Sequence, residues 1–296
     1  VTAVREQTRA GGERGTSRAP AGGVQVEGLR VLRQGTPVLQ DVTFTAPPGA
    51  VTALVGPNGS GKSTAVAVIA GDLAPAAGRV TVSGQPVSRL GAARAAQLRS
   101  VLPQEVTVAF DYLGAEIVAL GRRPWRGQER ATERAQVVAS ALAATDSSAA
   151  ADRRVLTLSG GERARVQLAR VLAQDAAVVL LDEPTAALDL RHQARTLTLC
   201  RQIAAAGGTV VVVLHDLDAA LSTADHAVLL DRGRVVVAGP VEQVTAKDLE
   251  RVYRHPISIV SHPVDGRPMV LPARVHAASQ PSSTCTGRWA SNPSID

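Results

Sequence analysis

An α/β fold built on a buried, mostly parallel sheet is what this sequence predicts, from three observations. Val51 to Val55 (apolar but for Thr52), Val178 to Leu181 and Val210 to Leu214 are apolar runs, as strands covered on both faces require. They alternate with longer Ala- and Leu-rich stretches of helical character. Aromatic residues are 2% of a chain that is 45% hydrophobic, so Ala, Val and Leu must build the core. At 296 residues there is room for one large domain or two small ones.

Taken in order, residues 1–22 are polar and rich in Gly and Arg and read as a disordered tail. An antiparallel β patch is expected from Val24 to Thr45. GPNGSGKST follows the strand ending at Val55 and precedes a helical stretch, the context that the P-loop pattern G-x-x-x-x-G-K-[ST] needs. Its glycines let backbone N–H groups wrap a phosphate, and the next helix turns its positive end to the same anion. Lys62 adds a point charge across the β- and γ-phosphates, and Ser63 offers a hydroxyl to Mg²⁺. Gly56, Pro57, Asn58, Gly59, Ser60, Gly61, Lys62, Ser63 and Thr64 are therefore candidate nucleotide-binding residues.

Residues from about 91 to 160 are dominated by helix formers, hold no strong buried strand, and read as a helical insertion. Within them Gln104, in SVLPQE, is a lone polar candidate for a Mg²⁺ or water contact. The stretch LSGGERARVQLARVL then begins a helix that is amphipathic from Val166 onward. Ser159 and Glu162 have capping-box spacing at its start. Capping does not require Gly160 and Gly161, each of which costs a helix about 1 kcal/mol relative to alanine.

VVLLDEP delivers Asp182 and Glu183 to the carboxyl end of a strand, where open α/β sheets bind ligands. Asp182 is placed to hold a Mg²⁺ hydration shell, and Glu183 to polarise an attacking water as general base. Both would otherwise be solvated strand-end carboxylates. The next strand ends in His215, which is placed to reach a γ-phosphate or its water. Val228 to Leu230 and Val235 to Val237 flank the turn Asp231-Arg232-Gly233 as a hairpin. Residues 273–296, with Ser, Pro and Thr, read as a second disordered tail.

The formal net charge of +6 raises a nucleic-acid reading. The first 22 residues carry four Arg and two Glu, and the last 24 two Arg and one Asp, so half the excess lies in the tails. No basic stripe and few aromatic residues remain for base stacking, so no nucleic-acid partner is expected. Cys200 and Cys285 have no metal-ligand spacing, and a reducing cytoplasm fits them. No apolar run approaches the roughly 18 residues of a membrane span.

The P-loop, Gln104, LSGGE, VVLLDEP, Ala187-Leu188-Asp189 and His215, in this order, resemble the ATP-binding subunit of ABC transporters from about Val24 to Pro272. The resemblance implies a P-loop NTPase (RecA-like) core with an N-terminal antiparallel β subdomain and a helical insertion. It places an ATP-binding domain at 23–272, between the tails 1–22 and 273–296. It implies ATP and Mg²⁺, the latter on Ser63, Gln104 and Asp182, and a homodimer closed head to tail over two ATP molecules. Ser159, Gly160, Gly161 and Glu162 would face the partner's ATP, the glycines admitting a γ-phosphate without Cβ atoms in the way. Asp189 would lie on the same seam. Adenine usually stacks on an aromatic residue before the first core strand, but LRVLRQGTPVL has none; Arg33 stacks there instead, or the preference for adenine is weaker.

Arg99 to Gly127 resembles the same region in importers of heme, ferric siderophores and cobalamin. With VALGRRPWRG, DLRHQ and HPVDGRPMVLP, the chain is most similar to the heme importers. This implies an ATPase peripheral to the cytoplasmic face of the inner membrane, a membrane permease dimer, and indirectly an extracytoplasmic substrate-binding protein. Siderophore and cobalamin import stay open, as does a non-transport ABC ATPase. Trp125 is either an exposed loop residue or near the permease contact.

Overall fold

The computed structural model describes residues 22–104, 111–264 and 266–273. The two tails, apart from Gly22 and Ala273 at their inner ends, lie outside these residues.

The β-branched runs become the middle of a six-stranded sheet. Strands β3 (Val51–Val55), β7 (Val178–Asp182) and β8 (Thr209–Val213) have every residue buried, as their mainly apolar sequence dictates. With β6 (Arg99–Leu102), β9 (His226–Asp231) and β10 (Arg234–Pro240), the order is β10-β9-β3-β8-β7-β6. All neighbours run parallel except β10, which pairs antiparallel with β9 in the hairpin expected around Arg232 and Gly233. Parallel pairing of β7 with β8 sets Asp182 beside Val213, so the ends carrying Asp182-Glu183 and His215 emerge together.

The N-terminal patch is a four-stranded antiparallel sheet, β2-β1-β4-β5, from β1 (Val24–Arg33), β2 (Thr36–Ala46), β4 (Ala77–Val82) and the short β5 (Gln85–Pro86). Val24, Val26, Leu29 and Val42 are essentially fully buried on its inner face. They pack with helix α1 (Lys62–Ala70) and one face of the parallel sheet. Each such side chain contributes roughly 1.5–3 kcal/mol, which holds the P-loop between the two sheets. The opposite face of the parallel sheet is covered by α6 (Leu190–Ala205), α7 (Leu217–Thr223) and α8 (Ala246–Tyr253).

A separate apolar cluster gathers Ile117, Val118, Leu142, Val155 and Val166. It joins α3 (Gly114–Leu120), α4 (Ala131–Ala144) and the start of α5 (Gly160–Ala173), and forms the core of the helical insertion. The short α2 (Ala92–Leu98) precedes it.

The expectation of no strong buried strand between 91 and 160 is corrected: β6 lies there, pairs with β7 and carries the chain to Gln104. Its run RSVL opens with two polar residues, and the Arg99 guanidinium donates to the carbonyl of Ala70. A second feature absent from the expected fold is the hairpin β11 (Ile257–Ser261) and β12 (Pro268–Pro272), a two-stranded sheet packed on α7. The exposed-loop reading of Trp125 is also corrected. Its indole N–H donates to the Gln174 carbonyl at 2.7 Å, and the Arg122 guanidinium lies 5.6 Å from the ring centroid. Arg122 itself is buried, donates to the Ala173 carbonyl and pairs with buried Glu129 at 2.6 Å, so RRPW clasps the end of α5.

Candidate nucleotide site

The P-loop is shaped by its glycines. Gly61 has φ 102°, and a Cβ there would collide with Leu39 of β2, so only glycine lets the loop turn into α1 at this point. Gly61 is also the N-cap of α1, with no side-chain cap and no acidic residue in the first turn. The helix start therefore presents N–H groups that no side-chain cap among the described residues satisfies, which fits a phosphate. Ser60 Oγ is buried and has no hydrogen-bond partner among the described residues, a second sign that the loop is built around a polar guest.

Lys62 is buried, and its Nζ donates to the carbonyls of Gly56 at 2.7 Å and Pro57 at 3.0 Å. Burial lowers its pKa, while Glu183 and Asp182 work in the opposite sense. The ammonium is thus kept at the loop mouth on two neutral acceptors that a phosphate would outcompete.

Asp182, the last residue of β7, is buried and accepts a bond from Ser63 Oγ at 3.2 Å. Burial raises its pKa, and the Ser63 bond opposes the shift. A buried carboxylate beside a hydroxyl, both oxygen donors, fits a hard divalent cation such as Mg²⁺.

Glu183 has φ 53°, the left-handed region that bulky residues avoid, at a cost of about 1 kcal/mol or more. Its N–H is held by the Val213 carbonyl at 3.2 Å. The turn aims its carboxylate at His215, whose Nε2 lies 2.5 Å from Glu183 Oε1. The structure therefore brings Glu183 and His215 together. A cleft of about 170 Å³ also gathers Gln104, Asp182, Glu183 and Gly160 along the ends of β6 and β7.

At α5 the capping box forms as expected: Ser159 Oγ accepts from Glu162 N at 3.2 Å, and Glu162 Oε2 accepts from Ser159 N at 2.8 Å. Arg153 pairs with Glu162 at 2.5 Å. These bonds, led by the Ser159 N–H, lower the Glu162 carboxyl to about 2. A Cβ on Gly160 would meet nothing within 4 Å, whereas one on Gly161 would lie 3.3 Å from the Ala187 carbonyl. Asp189 is exposed and caps α6, accepting from His192 N at 2.9 Å. Arg33 is exposed at the end of β1, opposite Thr36 in the hairpin.

Two contributors escaped sequence reasoning. Arg153 lies nine residues before its partner Glu162, a spacing with no local meaning. Tyr253, at the end of α8, lies beside the backbone of Gly56, and burial pushes its hydroxyl up to about 12. Nothing near Tyr253 in the sequence marks it as a neighbour of the P-loop.

Residues 39–186 match the family described as ABC transporter. The hemin import ATP-binding protein HmuV of Nocardia farcinica is 49% identical over 265 residues, covering 86% of this chain and 92% of that one. This chain belongs to the ABC transporter family. HmuV of Streptomyces coelicolor is 50% identical over 248 residues, covering 83% of this chain and 89% of its own. Among solved structures, a dimeric ATP-binding cassette in a post-hydrolysis state, bound to ADP and Pi, matches with TM-score 0.68 at 25% identity. That match covers 74% of this chain and 98% of the cassette. A transporter described as of the metal-chelate type, in an inward-facing conformation, matches with TM-score 0.72 at 26% identity, over 85% of this chain and 97% of that one. The family match makes this chain an ATP-binding ABC ATPase, on the P-loop core expected from its motifs.

Proposed function

We propose that this chain is the ATP-hydrolysing subunit that energises import of hemin through a membrane permease. The observation that carries this reading is identity of 49% and 50% to two hemin import ATP-binding proteins, each over more than four-fifths of both chains. Among the described residues no helix is long and apolar enough to cross a membrane. In this reading, which rests on the likeness to import ATP-binding proteins, the chain works at the cytoplasmic face of the membrane against a permease dimer, with an extracytoplasmic binding protein acting only through that permease.

ATP is held with its phosphates at the uncapped start of α1 and on Lys62. Ser63, Asp182 and Gln104 would hold Mg²⁺, which would supply positive charge to offset that of the phosphates. Glu183 accepts a proton from the attacking water, and His215, on its carboxylate, fixes its orientation. Ser159, Gly160 and Gly161 receive the γ-phosphate bound by a second copy, and Asp189 lies on the same seam. The open space at Gly160 supports this, because its own chain gives no reason for a glycine there. Arg33 stacks on the adenine.

ATP closes the dimer because the γ-phosphate is touched by both copies only in the closed state. Hydrolysis removes that differential contact, and the permease converts the cycle into transport. Growth of a strain lacking this chain, with hemin or a ferric siderophore as sole iron source, tests the cargo. Loss of growth on hemin alone is expected. Loss on the siderophore alone would overturn the hemin reading and favour the metal-chelate likeness instead.

A further inference from the structure

Three side chains at the start of α6, two arginines and a histidine, reach across to the helical insertion. Arg195 donates to the carbonyls of Ala144 at 2.7 Å and Ala143 at 2.9 Å, the last residues of α4. Arg191 lies 3.2 Å from Asp146 Oδ2, just beyond that helix end. Between them sits His192, whose side chain is only 13% exposed. Its Nδ1 is 2.7 Å from Asp189 Oδ1, and its Nε2 is 3.5 Å from Asp146 Oδ2.

We propose that His192 is a positioning residue that couples the helical insertion to the dimer seam by holding the Asp189 carboxylate on one ring nitrogen and facing Asp146 with the other. This rests on the reading of Asp189 as a seam residue. An imidazole suits the task because its two nitrogens point away from each other at a fixed separation. The Asp189 side chain is 68% exposed, so without the ring only the His192 backbone N–H would hold its carboxylate. The backbone N–H of His192 already caps α6 through Asp189, and the ring adds a second bond that selects one rotamer. Together these bonds hold the Asp189 carboxyl below its ordinary value, with Arg165 adding a weaker attraction. Asp146 has φ 55° and its N–H is bound by Ala143, so its place is set by the end of α4. A shift of the insertion against the sheet therefore moves Asp146, and through the ring changes where Asp189 points.

The two nitrogens can be separated by substitution. In the full chain, His192→Asn puts an amide donor near the Nδ1 position, and His192→Gln puts one near Nε2. Steady-state ATPase is measured across ATP concentrations for both variants, for His192→Ala, Asp146→Asn and Asp189→Ala, with a thermal melt of each. Asp189→Ala is expected to lose turnover. His192→Ala is expected to lower kcat about 10- to 100-fold, the effect of one hydrogen bond to a charged group, with KM for ATP within about twofold. Asn should recover most of that loss and Gln little of it, and Asp146→Asn should lower kcat in part. Full turnover in His192→Ala while Asp189→Ala is impaired would overturn the positioning role and leave the seam reading standing. Full turnover in Asp189→Ala would overturn the seam reading and the proposal with it. Losses that follow melting temperature rather than the Asn and Gln order would make His192 a merely structural residue and overturn the proposal.

Discussion

Replacing Gly160 by alanine separates what α5 needs from what a phosphate needs. The added Cβ meets nothing within 4 Å, so the monomer suffers no clash. Gly160 is the first residue of α5, and alanine there removes backbone freedom from the unfolded chain. Stability should stay level or rise by up to about 0.5 kcal/mol, the low end of the glycine-to-alanine difference in helices. For a chain of this size that is a melting shift of about 1–2 °C upward. At the seam the same methyl group stands where a γ-phosphate must approach the helix N–H groups. Pushing that anion back by about 1 Å should cost turnover on the order of 10²-fold.

The assay is a thermal melt of the full chain beside ATPase activity over a range of protein concentrations. Gly160→Asp sharpens it, because an acidic residue in the first turn of a helix suits the helix dipole yet repels a phosphate. Its monomer should be as stable as the wild type and its turnover lower than that of the alanine variant. Wild-type turnover in both variants would refute the reasoning that α5 receives a phosphate. A melting temperature several degrees lower for Gly160→Ala would also refute it, since the glycine would then serve its own chain.

Glu183→Gln should keep ATP binding and lower kcat about 10²- to 10⁴-fold, with an ATP-bound dimer accumulating on size exclusion; wild-type turnover would remove Glu183 as the base. The Glu162 carboxyl, lowered to about 2 in the folded chain, should titrate near that value by NMR and rise toward 4.5 in Arg153→Ala. Because its folded pKa is depressed, its contribution to stability is full above the unfolded value and fades as pH falls toward about 2. Glu129→Ala should destabilise the chain by about 3 kcal/mol in denaturant titrations, because it leaves the buried Arg122 guanidinium without its carboxylate partner. Glu129→Gln, which keeps an acceptor, should cost less.

The strands dominated by apolar residues, β3, β7 and β8, were legible because burial on both faces selects residues locally. Strand β6 was not, because Arg99 and Ser100 interrupt its apolar run and Arg99 is accommodated by a carbonyl 29 residues away. The hairpin β11–β12 was hidden for another reason. Pro268 and Pro272 demote β12 in any reading by propensity, and the proline positions are tolerated because the two-stranded sheet has free edges. In the site, GPNGSGKST and VVLLDEP were legible because each places its chemistry within a few consecutive residues on one turn. The pairs Arg153–Glu162 and His192–Asp146 were not, since tertiary packing creates those neighbours.

The two helix starts in the proposed site differ in a way that orders the events. Helix α1 begins without a side-chain cap and without an acidic residue, so an anion is its best partner at any time. Helix α5 begins with its own capping box, and Arg153 offsets the charge of Glu162. It therefore stands formed without a phosphate, and only its glycine N–H groups remain for one. ATP should bind first and fully at α1 of one copy, with α5 of the other engaging a phosphate already in place. Binding of ATP to dilute, monomeric chain should then be unchanged in Gly160→Asp and lost in Lys62→Ala. A weakened monomer affinity in Gly160→Asp would mean that α5 contributes to the first encounter, and the order argued from the two caps would be wrong.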